Sequence, residues 1–265
     1  MDITKENMMK VNLHTHTVRC NHASGSEEEY IENAIKSGLK VLGFSDHSPY
    51  VFRDGHYSGF RMKQDEQVEY VNTILSLKEK YKDKIDIKIG YEAEYYPALF
   101  DDYKKFITRY PVDYLIMGQH FIENEETGIN SHRQTDVKVY FETYINEVCE
   151  GIKTGLFTYI AHPDLMDYTE DKEYNDKLYR KLIETAIEYD VPLEINLLGI
   201  RENRTYPHDS FFKTCGELGA KVVIGSDAHS PDVVFEAEGY KKALELVEKY
   251  NLNLILEPIL KEVKA

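Results

Sequence analysis

Seven of the chain's ten histidines, His14, His16, His22, His47, His120, His162 and His229, fall with Glu92 and Asp227 at the ends of short apolar runs or in the loop just beyond. Core packing does not ask for imidazoles at such positions. A cluster of hydrolytic metal ions does, because imidazole nitrogens and carboxylate oxygens are the donors that borderline divalent ions take. His14-Thr15-His16 has the two-residue spacing that turns both rings to one face of a strand. Asp227-Ala228-His229 repeats that spacing after the apolar run VVIG. One such pair reads better as surface or satisfied core histidines; two, each ending a strand, favour metal. Asp46-His47, His120 and His162 close further runs. Glu92 lies deeper in its apolar run than Glu94, and a carboxylate there can bridge two ions about 3.5–4 Å apart and help activate a water between them. Glu94 reads as a partner of a ligand or of a cationic part of the substrate. His22, in the loop RCNHASG, can fold back over the site.

Elements that would hold these residues follow from the pattern. Candidate strands cover 11–16, 41–47, 85–95, 112–121, 157–165, 191–199 and 221–229, and segments with helical spacing cover 27–38, 63–82, 99–109, 136–153, 172–189, 209–218 and 234–248. Glycines and prolines punctuate the joints, as at Ser37-Gly38 and Val191-Pro192. Seven β-then-α units imply an α/β fold with parallel strands and right-handed crossovers. A closed barrel is expected over an open doubly wound sheet. The ligand-type residues come from the ends of at least six strands, whereas an open sheet gathers its ligands near one switch point.

The 265 residues, 42% hydrophobic and 12% aromatic, suffice for one large core, so a single domain over 1–265 is expected. A net charge of −15 disfavours nucleic acid and anionic membranes as partners. The start MDITKENMMK has no apolar core, and no run approaches 18 apolar residues, so a cytoplasmic protein is expected. Cys20, Cys149 and Cys215 are odd in number and form no CxxC, which argues against both disulfides and a thiolate zinc site.

Six of eight arginines, Arg19, Arg53, Arg61, Arg133, Arg201 and Arg204, fall in βα loops on the ligand side, while most lysines lie on helices. A planar guanidinium fork suits phosphate, though several of the six are expected only to pin loops through carboxylates. Arg201, nearer a strand end than Arg204, is the first choice for a phosphate clamp.

The ordered set HTH, the loop histidine, FSDHSP, GYEAEYYP, GQHF, AHPD, EIN and GSDAH resembles the polymerase and histidinol phosphatase (PHP) family of metal-dependent phosphoesterases from about residue 11 to 230. The DHSP and GYEAEYYP wording is similar to that of its stand-alone histidinol-phosphate phosphatases. The resemblance implies a distorted (β/α)7 TIM-like barrel, three divalent ions (zinc, manganese or iron) and hydrolysis of L-histidinol phosphate in histidine biosynthesis. Carried over by motif, one ion takes His14, His16, Glu92 and Asp227, a second Glu92, His120 and His162, and a third His22, His47 and His229.

The chemistry stands beside that resemblance. Three divalent ions offset by two carboxylates and a hydroxide keep roughly +3 of charge, a trap for a phosphate dianion. A bridging water acidified by metal attacks phosphorus in line, and the leaving alcohol needs a proton, for which Asp46 is the candidate donor. Arg201, Arg204, Arg53, Arg133, Arg19 and Glu94 are the candidate substrate contacts, with Asp54 and Glu202 beside Glu94 as candidate acidic partners for a cationic end of the substrate. Three alternatives compete: the same cluster could act on nucleotides, other small esters or phosphotyrosine; a metal-dependent amidohydrolase also uses a barrel with HxH; and a regulatory module could keep the ligands without turnover.

Overall fold

The computed structural model describes residues 3–264 apart from 6, 54 and 127. Eight parallel strands form one sheet: β1 (Val11–Asn12), β2 (Val41–His47), β3 (Asp86–Ala93), β4 (Tyr114–Met117), β5 (Phe157–Ile160), β6 (Leu193–Asn196), β7 (Lys221–Gly225) and β8 (Asn253–Leu254). They neighbour one another in chain order. The sheet closes on itself at its upper end, where Thr15 pairs with Ala228 and His16 N–H donates to Ala228 O at 2.9 Å. The result is the expected distorted seven-stranded barrel, with β8 added beside β7 below the closure.

Helices α1 (Glu27–Ser37), α2 (Gln67–Tyr81), α3 (Phe100–Ile107), α4 (Lys138–Lys153), α5 (Lys172–Glu188), α6 (Leu197–Arg201), α7 (Asp209–Leu218) and α8 (Ala237–Tyr250) complete the fold. Their ends obey local chemistry. Ser26 and Glu29 form a reciprocal capping box that starts α1, and Gly38 at φ 87° ends it. The strand expected over 191–199 stops at Asn196 instead. Its side-chain oxygen accepts from Gly199 N–H at 3.0 Å and caps α6, a short helix that the apolar run LLGI concealed.

A large core separates sheet from helices, and a smaller one, built from Leu13, Tyr114, Ile116, Tyr159, Ala161 and Val223, fills the barrel. Tyr114 crosses the barrel interior. A Cβ on Gly43 or Gly90 would lie 2.2 and 2.4 Å from its side chain, so these strand glycines make its room. Its hydroxyl donates to Leu13 O at 2.8 Å. Strands β1, β4, β5 and β7 are thereby packed from inside, and the ligand-bearing residues at their upper ends inherit a rigid base.

Candidate metal centre

Every one of the nine donors expected from the sequence reaches the upper mouth of the barrel. Glu92, on β3, is their hub: its oxygens lie 2.8 Å from His162 Nε2, 3.1 Å from His47 Nδ1, 3.4 Å from His120 Nε2 and 3.5 Å from a nitrogen of both His14 and His16. Asp227 is a second hub, with Oδ1 3.2 Å from His16 Nε2, 3.4 Å from His229 Nδ1 and 3.5 Å from His14 Nε2. His22, His47 and His229 gather around the outer face of His16; ring centroids are 4.6 Å apart for His22–His229, 5.3 Å for His22–His47 and 4.1 Å for His16–His229.

Strand ends alone do not aim these side chains. His162 and Asp227 hold left-handed backbone, φ 31° and 47°, immediately past β5 and β7. Such a conformation costs a non-glycine residue of order 1–3 kcal/mol and persists where its surroundings over-determine it. Here His162 N–H donates to Glu194 Oε2 at 2.9 Å, and Asp227 Oδ2 accepts from Asn196 Nδ2 at 3.0 Å. Two glycines clear the way for the carboxylates: a Cβ on Gly118 would lie 2.0 Å from Glu92 Oε1, and one on Gly225 1.8 Å from Glu194 Oε1.

Around the donors runs a layer that fixes ring orientation. His14 Nδ1 is 2.7 Å from Glu194 Oε1 and His120 Nδ1 is 2.8 Å from Glu94 Oε1, leaving each Nε2 turned to the hub. His22 Nδ1 likewise bonds Cys20 O at 2.8 Å. A carboxylate or carbonyl on one ring nitrogen and a metal on the other is the usual anchoring of ligand histidines. Sequence reasoning carried EIN as a motif but gave Glu194 and Asn196 no part; only the fold shows that they tie His14, His162 and Asp227 together.

The donor set fits divalent cations. His14 Nε2, His16 Nε2, His47 Nδ1, His162 Nδ1, His229 Nε2 and Glu92 Oε2 are buried and have no hydrogen-bond partner. Buried polar atoms are otherwise nearly always paired, so this concentration of free lone pairs points to ions. Subsets such as His14, His162 and Asp227, or His16, His47 and His229, have donor atoms within 4.8 Å of one another.

Electrostatics agree. Burial alone would raise the Glu92 carboxyl, but His120, His14 and His47 outweigh it and hold it well below the usual carboxylate range; Asp227 is held low in the same way by His14, His16 and His229. Burial would lower His16, yet Asp227 and Asp46 lift it to about 9. His229 falls to about 3, chiefly by burial and then by the neighbouring charge of His16. The pocket thus retains ionised carboxylates and draws protons onto His14 and His16, the positions where bound cations would replace protons.

The other expected site residues divide sharply. Asp46 is fully buried behind His16, accepting from His47 N–H at 2.9 Å and from the Thr17 hydroxyl. That burial gives it no route to a leaving group; its Oδ1 lies 3.5 Å from His16 Nδ1 instead. Glu94 is also fully buried, spanning His120 and Arg61, and does not line the cavity, whereas Glu202 does; Asp54 lies outside the described residues. Arg19 is paired with Glu27 and with Glu69 at 2.7 Å, Arg53 donates to Ala98 O at 2.8 Å, and Arg133 lies over the Tyr140 ring. Arg201 ends α6 with its guanidinium 3.3 Å from Asp227 O and 3.5 Å from Glu236. Arg204, two residues past the cap of α6, is the arginine that lines the cavity. The helical turn of α6 reverses the order expected for an extended strand end.

That cavity, about 500 Å³, opens directly over Glu92, Asp227 and five of the histidines. Its remaining wall includes Phe60, Phe121, His132, Glu202 and Arg204. His132, a histidine not counted among the nine, stacks on His120 with centroids 5.1 Å apart.

Comparison with known proteins places this geometry. A probable histidinol-phosphatase of Deinococcus radiodurans is 27% identical over 83% of this chain and 86% of its own length. The histidinol-phosphatase of Bacillus subtilis is 24% identical over 88% of this chain and 98% of its own. Among solved structures, histidinol phosphate phosphatase from Lactococcus lactis subsp. lactis, complexed with zinc, L-histidinol and phosphate, shares the fold, with a TM-score of 0.70 at 20% identity over 93% of this chain and 95% of that one. The PHP domain model matches residues 12–197, a span that takes in seven of the nine donors, and the chain belongs to that family.

Proposed function

We propose that the chain is a metal-dependent phosphomonoesterase that hydrolyses L-histidinol phosphate to L-histidinol and phosphate, acting as one domain over 1–265 in cytoplasmic histidine biosynthesis. The observation that carries the reading is the set of unpaired buried donor atoms around Glu92 and Asp227, under a cavity that also presents a guanidinium. Three ions held by the nine donors suit the arrangement, with the outer trio His22, His47 and His229 as the third site. The donors do not choose among zinc, manganese and iron. Divalent ions in such a site supply Lewis acidity and acidify a water at neutral pH.

The chain's own residues do the rest. Glu92 and Asp227, both ionised and the latter anchored by Asn196, fix the charge that the phosphate faces. Arg204 can hold non-bridging phosphate oxygens through its fork. Glu194 and Glu94 hold the rings of His14 and His120, so little reorganisation is needed as charge builds on the phosphoryl group. Among the described residues that line the cavity there is no lysine of the kind that many amidohydrolases carboxylate, which favours the phosphoesterase reading.

The test is a steady-state panel of phosphomonoesters. Histidinol phosphate is expected to exceed aryl phosphates in kcat/KM by at least about a hundredfold, because binding energy from its cationic part can be used at the transition state. A flat profile would leave a broad-range phosphatase, and turnover confined to nucleotides or phosphotyrosine would move the reading to that substrate.

A further inference from the structure

The wall of the cavity above the donors is chemically two-sided. Phe60, in the loop after β2, and Phe121, after β4, stack with centroids 5.8 Å apart and 23° between planes. Phe60 also meets His47 and His120 edge-on at 5.1 and 5.9 Å. Glu202 and Arg204 come from the segment after β6. In a closed ring of seven strands, β6 is four steps from β2 one way and three the other, so Phe60 comes from the side of the mouth opposite the charged pair, with Phe121, two strands from β6, stacked beside it in the same cavity wall.

The charged pair is half-used. Arg204 Nε and Nη2 both go to Glu202 Oε2, at 2.8 and 2.6 Å, while Arg204 Nη1 bonds the Tyr206 hydroxyl at 3.0 Å. No bond to Glu202 Oε1 is made among the described residues, and the Glu202 side chain is 49% exposed. A phosphate ester with its phosphorus over the donors must direct its alcohol portion outward, between these walls.

We propose that Glu202, Phe60 and Phe121 determine specificity: Glu202 Oε1 receives a positive charge on the alcohol portion, and the two phenyl rings receive a flat ring attached to it. The preferred ester is then zwitterionic, carrying an ammonium group near the phosphate and an aromatic or heteroaromatic ring beyond. The adjacent Arg204 and Glu202 present plus beside minus to a ligand that presents minus beside plus. This rests on the phosphomonoesterase reading and extends it to the residues that sort substrates. Flat rings gain stacking and edge contacts from phenyl walls, and a carboxylate beside a guanidinium remains a hydrogen-bond acceptor for an ammonium.

The experiment compares metal-loaded wild type, Glu202→Gln and Phe60→Leu on histidinol phosphate, phenyl phosphate, O-phosphoethanolamine and glycerol phosphate. Glu202→Gln is expected to lower the kcat/KM ratio of histidinol phosphate to phenyl phosphate, and that of phosphoethanolamine to glycerol phosphate, at least tenfold, mainly through KM. Phe60→Leu is expected to lower the ratio of histidinol phosphate to phosphoethanolamine at least threefold. Titration of L-histidinol into phosphate-saturated protein should show the same losses in affinity. Equal losses on charged and uncharged esters would make Glu202 merely the support of Arg204 and overturn the proposal. If wild type ignores histidinol phosphate yet prefers phosphoethanolamine to glycerol phosphate, and Glu202→Gln abolishes that preference, the named substrate fails while the charge reading stands. No preference for cationic esters in wild type overturns it.

Discussion

Replacing Arg61 by Met should damage folding and metal binding together. Arg61 is 1% exposed and lies between two buried carboxylates: it donates to both oxygens of Glu94 at 3.1 and 3.0 Å, to Glu125 at 2.7 Å and to Ser48 O at 2.7 Å. Its guanidinium carbon sits 4.6 Å from the centre of the Phe60 ring. Burial alone would raise the Glu94 carboxyl, and Arg61, followed by His120, overrides it to keep it low. Removing one partner of a buried ion pair leaves the other charge stranded, which costs about 3–5 kcal/mol. For a chain of this size that is a fall in Tm of roughly 6–20 °C. Glu94 also bonds His120 Nδ1 at 2.8 Å, so its protonation or displacement removes the anchor of a donor, and outer anchors of this kind are worth about 10–100-fold in metal affinity. Thermal melts of metal-free protein report the first effect, and zinc competition with a chromophoric chelator the second. Glu94→Gln on the Arg61→Met background should recover part of the stability, since it deletes one of the two stranded charges, without recovering the affinity. A Tm change under about 2 °C with unaltered zinc competition would refute the argument.

Asp227→Asn or His14→Ala should lose bound metal and nearly all activity together while far-UV circular dichroism stays native, because each removes a donor at a hub; retention of full activity after exhaustive chelation would contradict this. Arg204→Lys keeps the charge and removes the fork, so kcat/KM should fall by about 2–3 kcal/mol at normal metal content, and Arg201→Lys, whose guanidinium is turned to Asp227 O and Glu236, should cost less. Glu147 is 7% exposed, and burial pushes its carboxyl from 4.5 to about 7 against the Glu123 N–H and Gln119 bonds that pull the other way. Its folded pKa lies above the unfolded one, so the folded state binds the proton more tightly. Stability from this group is therefore complete below about pH 4.5 and is lost as pH rises through about 7, by at most about 3 kcal/mol. Urea midpoints at pH 5 and pH 8 should show that slope in wild type and a smaller one in Glu147→Gln.

What the sequence disclosed, and what it hid, follows from how each residue is placed. Strand β2 at 41–47 and helix α7 at 209–218 match their expected bounds because apolar periodicity and a terminal glycine define them locally. The residues that gather at the mouth were legible for the same reason, all but His22 closing or following an apolar run. Strand lengths were overread where donors follow: β5 ends at Ile160 and β7 at Gly225, and the next residues leave the ladder so that His162 and Asp227 can turn inward. The burial of Arg61 could not be read, since its partners Glu94 and Glu125 lie 33 and 64 residues away and meet it only in the fold. Gly43 and Gly90 lie inside their expected strands, and that they make space for Tyr114 shows only in the fold. The cavity wall was least legible. Phe60, Phe121 and His132 sit on irregular segments, where no period links residue type to direction.

Anomalous X-ray diffraction from crystals of zinc-loaded protein, recorded on both sides of the zinc edge, tests the central claim most directly. Three peaks are expected at the barrel mouth, between Glu92 and Asp227 and beside the His22, His47 and His229 trio, each within about 2.0–2.2 Å of nitrogen or oxygen donors. Their absence, with the nine side chains hydrogen-bonded among themselves, would contradict the account.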